Sequence, residues 1–226
     1  MRNDEEMREI RIPGLNSLDT LPLKHASEWI KRNGARAAID TLNWEAFPRK
    51  PICVAYSAYS ATALYILFEV EGDDLRANYE NDNSPTHEDS CVEFFVKESA
   101  SDTYFNFEFN CIGTCFASER LSRTSFSLLS PRKMKRIRRM SSLGNRKFKA
   151  LEGEYNWWVM VTIPFDLINL NGTNLPEYVM GNFYKCGDLT PHPHYLTWNP
   201  IDTPQPDYHR PEFFGKIVFG ERVNEY

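Results

Sequence analysis

Alternation of apolar and polar residues dominates this chain. In Ala63-Leu-Tyr-Ile-Leu-Phe-Glu-Val70, residues Leu64, Ile66, Phe68 and Val70 fall on one face, the period of a β-strand. Tyr104-Phe-Asn-Phe-Glu-Phe-Asn110 separates Phe105, Phe107 and Phe109 from Tyr104, Asn106, Glu108 and Asn110. That polar row is either the floor of a binding site or the wet side of a sheet. Similar runs occur at Cys53–Tyr59, Cys91–Val96, Trp157–Ile163 (ended by Pro164), Tyr178–Tyr184 and Phe213–Phe219. Many short strands with polar turns between them predict an all-β fold, an antiparallel β-sandwich of jelly-roll or immunoglobulin-like architecture. Residues 1–35 read as an N-terminal arm packing on the domain. In it Ile10-Arg-Ile12 adds an edge strand, Pro13-Gly14 breaks it, and Ser27–Ile30 makes a helical turn. Residues 36–226 form one domain, with a second helical turn at Phe165–Asn169.

Two stretches interrupt the pattern. Residues 71–85 are acidic and amide-rich and read as a long loop, of the kind that is functional or mobile. Pro131–Arg139 is strongly basic, with Met134 and Ile137 interspersed. It reads as a solvated edge strand whose charge guards against edge pairing.

Composition narrows the function. The chain has 226 residues, 42% hydrophobic and 14% aromatic, enough for a sizeable core and against disorder. A net charge of −5 argues against nucleic acid as the main partner. No apolar run reaches membrane-spanning length. The charged N-terminus lacks the apolar segment of a secretory signal, which places the chain in the cytoplasm by default or leaves it supplied without its leader. Of the five cysteines, Cys53, Cys91 and Cys111 lie in apolar runs as small core residues, while Cys111 and Cys115 have a spacing that permits a disulfide.

The densest candidate chemistry lies near the C-terminus. Tyr195–Pro200, a Pro-rich hinge and Asp207–Gly215 set Tyr, Trp and His rings beside amides and acids. Rings for a C–H face and polar groups for an edge suit a sugar. The alternative is a long connection whose rings cap the β core. Glu93 and Glu108 could face each other on neighbouring strands, and a glycosidase needs two carboxylates about 5–10 Å apart. No Gly-x-Ser-x-Gly or phosphate loop is present. His192-x-His194 with His209 is the one metal-like cluster in the sequence.

The order of motifs carries a resemblance. Ala63–Val70 is followed by Glu88-Asp-Ser-Cys-Val-Glu-Phe-Phe-Val96, then Tyr104 to Asn110 with Gly113, Trp158 with Ile163-Pro164-Phe165, Gly181-Asn-Phe183, Trp198 and Pro211-Glu-Phe-Phe-Gly215. From about residue 36 onward the chain resembles carbohydrate-binding module family 9, in the DOMON-like superfamily of β-sandwiches. The resemblance implies a non-catalytic module in which two aromatic rings clamp a terminal sugar, often alongside enzymes of polysaccharide degradation. A glycan-active enzyme and a haem-carrying or structural DOMON-like domain are the alternatives. Carried over by position, one clamp ring falls at Tyr208 and the other at Thr86 or His87. Hydroxyl-binding groups fall at Glu93, Asn110 and Gln205, with Trp198 and His209 as further ring candidates. Sugar-binding members have Trp at both clamp positions and a basic residue where Glu108 stands. The family also suggests structural calcium, for which Asp73, Asp74, Asp82 and Asp89 offer oxygen ligands. The superfamily suggests haem on His87 with Met160 or Met180.

Overall fold

A computed structural model describes residues 7–223. Thirteen strands follow in chain order: β1 (Glu9–Leu15), β2 (Ala35–Ala38), β3 (Ile52–Tyr59), β4 (Ala63–Ala77), β5 (Cys91–Glu98), β6 (Tyr104–Asn110), β7 (Cys115–Arg120), β8 (Phe126–Leu128), β9 (Arg138–Ser141), β10 (Phe148–Pro164), β11 (Tyr178–Cys186), β12 (Tyr195–Thr197) and β13 (Gly215–Val223). The helices are α1 (Leu23–Asn33) and the single turn α2 (Pro131–Met134). Hydrogen bonding runs along one continuous path, β8-β7-β6-β5-β11-β13-β1-β3-β4-β10-β9, with β12 paired to β11 and β2 to β3. The path folds over so that its two halves share one core, in which Phe68 of β4 meets Phe183 of β11 at 6.2 Å between ring centroids. The result is the all-β sandwich that the alternation predicts.

The alternating faces explain the layers. Leu64, Ile66, Phe68 and Val70 of β4 enter the shared core. Tyr65 and Leu67 point the other way, under α1. Both faces of this strand are therefore dry, which is why it reads as a near-continuous apolar run. Helix α1 covers that face through Ala26 and Ser27 and, one turn on, Ile30. It carries Lys31 and Arg32 in its last turn, where they favour the helix dipole. A third apolar cluster, including Trp44, Phe95, Tyr104, Tyr184, Tyr208 and Phe214, covers the outer face of β5, β6 and β11. The polar row of β6 consequently faces a covered interior; every residue of that strand is buried.

Several expectations need correction. Ile10-Arg-Ile12 does not make an edge strand: β1 lies inside the path, parallel to both β13 and β3, and is the exception to the antiparallel rule among the named pairs. The expected loop at 71–85 is strand as far as Ala77, because β4 continues beside the long β10. Asp73 and Asp74 are buried there by partners that sequence does not reveal. The basic stretch is α2 followed by edge strand β9. Its charges are matched locally, Arg136 with Asp166 at 2.6 Å and Arg139 with Asp82 at 2.6 Å. All five cysteines are free and buried, so Cys111 and Cys115 form no disulfide. Among the described residues no helix is long and apolar enough to cross a membrane.

Candidate binding site

Register builds the site. Across the sheet, Tyr184 of β11 pairs with Glu93 of β5, Glu93 with Glu108 of β6, and Glu108 with Phe116 of β7. Directly paired residues project to the same face. The row therefore sets two carboxylates side by side, flanked by rings. Glu93, Glu108 and Phe116 of this row form the floor of a cavity of about 420 Å³, walled by His87, Arg120, Phe126, Asp188, Tyr208 and His209 among others, while Tyr184 lies buried behind Tyr208.

The two acids are held differently. Glu108 accepts from Asn106 Nδ2 at 2.9 Å, from Thr86 Oγ1 at 3.2 Å and from His87 Nδ1 at 3.3 Å. Glu93 accepts from the Cys186 thiol at 3.1 Å. Burial, reinforced by the neighbouring Glu108, pushes the Glu93 carboxyl well above the usual carboxylate range. The hydrogen bond to Glu108 raises His87 to about 9, so at neutral pH this site holds an imidazolium–carboxylate pair. Burial pushes Asp188 up to about 6.

The walls combine a cation with flat rings. Arg120 Nε donates to Asn106 Oδ1 at 2.8 Å and Nη1 donates to the Arg123 carbonyl at 2.7 Å. Its guanidinium carbon lies 4.1 Å from the Phe126 ring centroid, a cation–π distance. Phe126 is 46% exposed and presents apolar surface to the mouth. Opposite, Arg123 pairs with Asp207 at 3.2 Å and ties down the roof segment 206–209. His209 packs on Phe95 and its Nδ1 meets the Tyr104 hydroxyl at 3.0 Å. Burial, helped by Arg120 and Arg123, lowers it to about 3 and keeps it neutral.

Tyr208, His87, Glu93 and His209, expected together from the sequence, do border one cavity. Tyr208 is no open clamp, however. One ring face is stacked on Tyr184 at 4.1 Å with an 11° interplanar angle. Its hydroxyl points to the carbonyls of Lys185 and Leu196 at 3.1 and 3.2 Å. Asn110 is not brought to the cavity. Its Nδ2 donates to the Tyr79 carbonyl and Asp89, and its Oδ1 accepts from the amides of Ile112 and Thr114, so its hydrogen-bonding capacity is spent. Trp198 is core, 5.6 Å from Phe183 and so close under Gly215 that a Cβ there would lie 2.6 Å from the indole. Gln205 is exposed on the loop outside the cavity lining.

The four acids singled out for calcium do not fit a cage. Asp73 takes Lys185 at 3.0 Å and Trp157 Nε1 at 3.0 Å. Asp74 takes His192 and the Gly153 amide. Asp82 takes Arg139 and the Cys115 amide. Asp89 takes Arg76, the amides of Asn78 and Tyr79, and Asn110. Each carboxylate has at least one oxygen committed to protein donors, although Asp73 Oδ1 is buried without a hydrogen bond. The histidine trio disperses as well: exposed His192 bonds Asp74, His194 is buried against Lys185, and His209 sits at the cavity. Met160 belongs to the cluster under α1, so it does not share His87's side of the sandwich for haem.

Sequence reasoning missed Arg120, Phe116, Phe126 and Asp188. Phe116 and Arg120 were within reach, since alternation along Cys115–Arg120 puts both on one face. Phe126 and Asp188 lie in segments without a pattern to flag them.

A sequence model described as carbohydrate-binding family 9 matches residues 26–219. No curated protein sequence matches the chain. Among solved structures, a candidate carbohydrate-binding protein from Bacteroides uniformis ATCC 8492 is 28% identical, with a TM-score of 0.89 over 95% of this chain and 100% of that one. A family 9 module from Caldicellulosiruptor kristjanssonii in complex with cellotriose has a TM-score of 0.61 at 14% identity, covering 96% of both chains. A module of that family and organism in complex with glucose gives 0.50 at 14% identity, over 78% of this chain and 80% of that one. At such identity the two modules show a shared fold alone.

Proposed function

Because the chain belongs to carbohydrate-binding family 9, we propose that its cavity binds a sugar or the end of a polysaccharide without chemistry. The observation that carries this is the paired floor of Glu93 and Glu108 beneath exposed ring surface in one cavity. Carboxyl groups exchange hydrogen bonds with hydroxyls, and rings cover the C–H face of a pyranose. In this reading Phe126 and His87 supply the open ring faces, while Tyr208 and His209 form the rear wall. Gln205 sits on the rim, and Asn110 and Trp198 hold the sheet and loop behind the site. A binding role rather than hydrolysis is supported by the family match over residues 26–219. Both acids lie on one face of the sheet, where they can accept hydroxyls of the same sugar edge. The solved modules that share this fold hold glucose and cellotriose, which points first to glucose-type oligosaccharides. Placement within the wider DOMON-like superfamily is part of the same proposal, supported by the motif order.

A glycan array followed by calorimetry with the strongest hits tests the reading. Retention of at least one glycan class is expected, with modest affinity, since neutral hydrogen bonds contribute only about 0.5–1.5 kcal/mol each. Glu93→Gln and Glu108→Gln should both weaken it. Absence of any retained glycan, or retention indifferent to both changes, refutes the site.

A further inference from the structure

Beside Glu93 of the floor lie two thiols, Cys91 and Cys186, that the carbohydrate reading leaves unused. Strands β5 and β11 place Cys91 and Cys186 directly opposite each other. Glu93, two residues along β5, projects to the same side. Both thiol sulfurs and a Glu93 carboxylate oxygen lie within 4.8 Å of one another, and all three residues are buried. Among the described residues this is the one cluster of at least three His, Cys, Asp or Glu ligand atoms gathered so closely. Cys186 and Glu93 also border the cavity, which supplies an entry path and an open side.

We propose that Cys91, Cys186 and Glu93 form a binding site for a thiophilic divalent cation of the Zn²⁺ class, with its fourth position open to the cavity. The geometry is close to what such an ion needs. Tetrahedral zinc with sulfur at about 2.3 Å and oxygen at about 2.1 Å sets its ligands roughly 3.6–3.8 Å apart. Cys186 Sγ and Glu93 Oε1 already stand 3.1 Å apart, so small side-chain rotations complete the set. Two sulfurs and one oxygen select a soft or borderline ion over calcium or magnesium. Binding converts two thiols to thiolates and releases both protons to solvent, plus any proton held by Glu93. No electron is exchanged. Two thiolates, one carboxylate and the dication leave a single negative charge. Burial pushes the Cys91 thiol up to about 12 and the Cys186 thiol well above its ordinary range, so the ion itself must displace both protons.

Cobalt(II) is the probe, because thiolate ligands give it an intense near-ultraviolet charge-transfer band. Reduced full-length protein should bind one equivalent with that band. Cys91→Ala and Cys186→Ala should lose the band, whereas Cys53→Ala and Cys115→Ala should keep it. Glu93→Gln should weaken binding by about tenfold or more, since even outer-shell partners of a metal are worth about 10–100-fold. Circular dichroism checks the fold of each variant. If an alanine variant fails to fold, calorimetry on the wild type in buffers of different ionisation enthalpy should show proton release on Zn²⁺ binding. A wild type without the band, a band that persists in Cys91→Ala or Cys186→Ala, binding without proton release, or ready conversion of the pair to a disulfide with no metal uptake would overturn the proposal. No sugar enters this experiment, so its failure leaves the carbohydrate reading standing, and the failure of that reading leaves the metal site standing.

Discussion

Replacing Tyr208 with alanine separates two views of the site. The family pattern makes this ring an exposed clamp, whose loss would abolish glycan retention and leave the thermal midpoint nearly unchanged. The structure makes it a packed wall. Tyr208 is 9% exposed, stacks on Tyr184 at 4.1 Å, and meets the Trp44 and Tyr195 rings at 6.2 and 6.3 Å. Truncating a buried aromatic to alanine costs about 3–5 kcal/mol, through lost transfer energy and the cavity left behind. For a chain of this size each kcal/mol shifts the midpoint by roughly 2–4 °C, so Tyr208→Ala should lower it by about 6–20 °C. Tyr208→Phe keeps the stack and removes only the hydroxyl donor to the Lys185 and Leu196 carbonyls. It should cost about 1 kcal/mol and retain glycan. Thermal unfolding followed by circular dichroism reads both. A Tyr208→Ala variant that unfolds at the wild-type temperature yet has lost retention would refute the packed-wall argument and restore the open clamp.

The exposed counterpart should behave in the opposite way. Phe126→Ala removes a ring that is 46% exposed, so stability should change by no more than about 0.5 kcal/mol while retention on glycan surfaces falls; unchanged retention would exclude Phe126 as a stacking platform. Acid stability should report His194. Its Nε2 accepts from Lys185 Nζ at 2.7 Å, its Nδ1–H donates to the His192 carbonyl at 2.8 Å, and Asp73 stands 3.5 Å away. Burial first, then Lys185, holds it down to about 3. The unfolded chain, with a histidine pKa of about 6.5, therefore binds the extra proton, and this contribution to stability is present above about pH 6.5 and lost as pH falls toward 3. His194→Gln should flatten the fall in thermal midpoint between about pH 6.5 and 4; an identical slope in the variant would exclude His194 as its source.

Alternation alone determined a good deal about this protein. A strand places successive side chains on opposite faces whatever surrounds it, so Phe105, Phe107 and Phe109 had to enter a core and Asn106, Glu108 and Asn110 had to leave it together. That was enough for the all-β class, for Glu93 and Glu108 on adjacent strands, and for the motif order that carries the family. Local pattern said nothing about what would cover the other face. The 195–214 segment returns over β5, β6 and β11, which turns the expected wet row into a buried floor. It also leaves Tyr208 flat against Tyr184, while the 79–89 segment takes up Asn110 through Tyr79 and Asp89. Likewise, Asp73 and Asp74 look like loop acids until β10, the Lys185 ammonium and His192 close around them. Which partners satisfy a buried polar group depends on contacts between residues far apart in the chain, and those exist only once the sheet has folded over on itself.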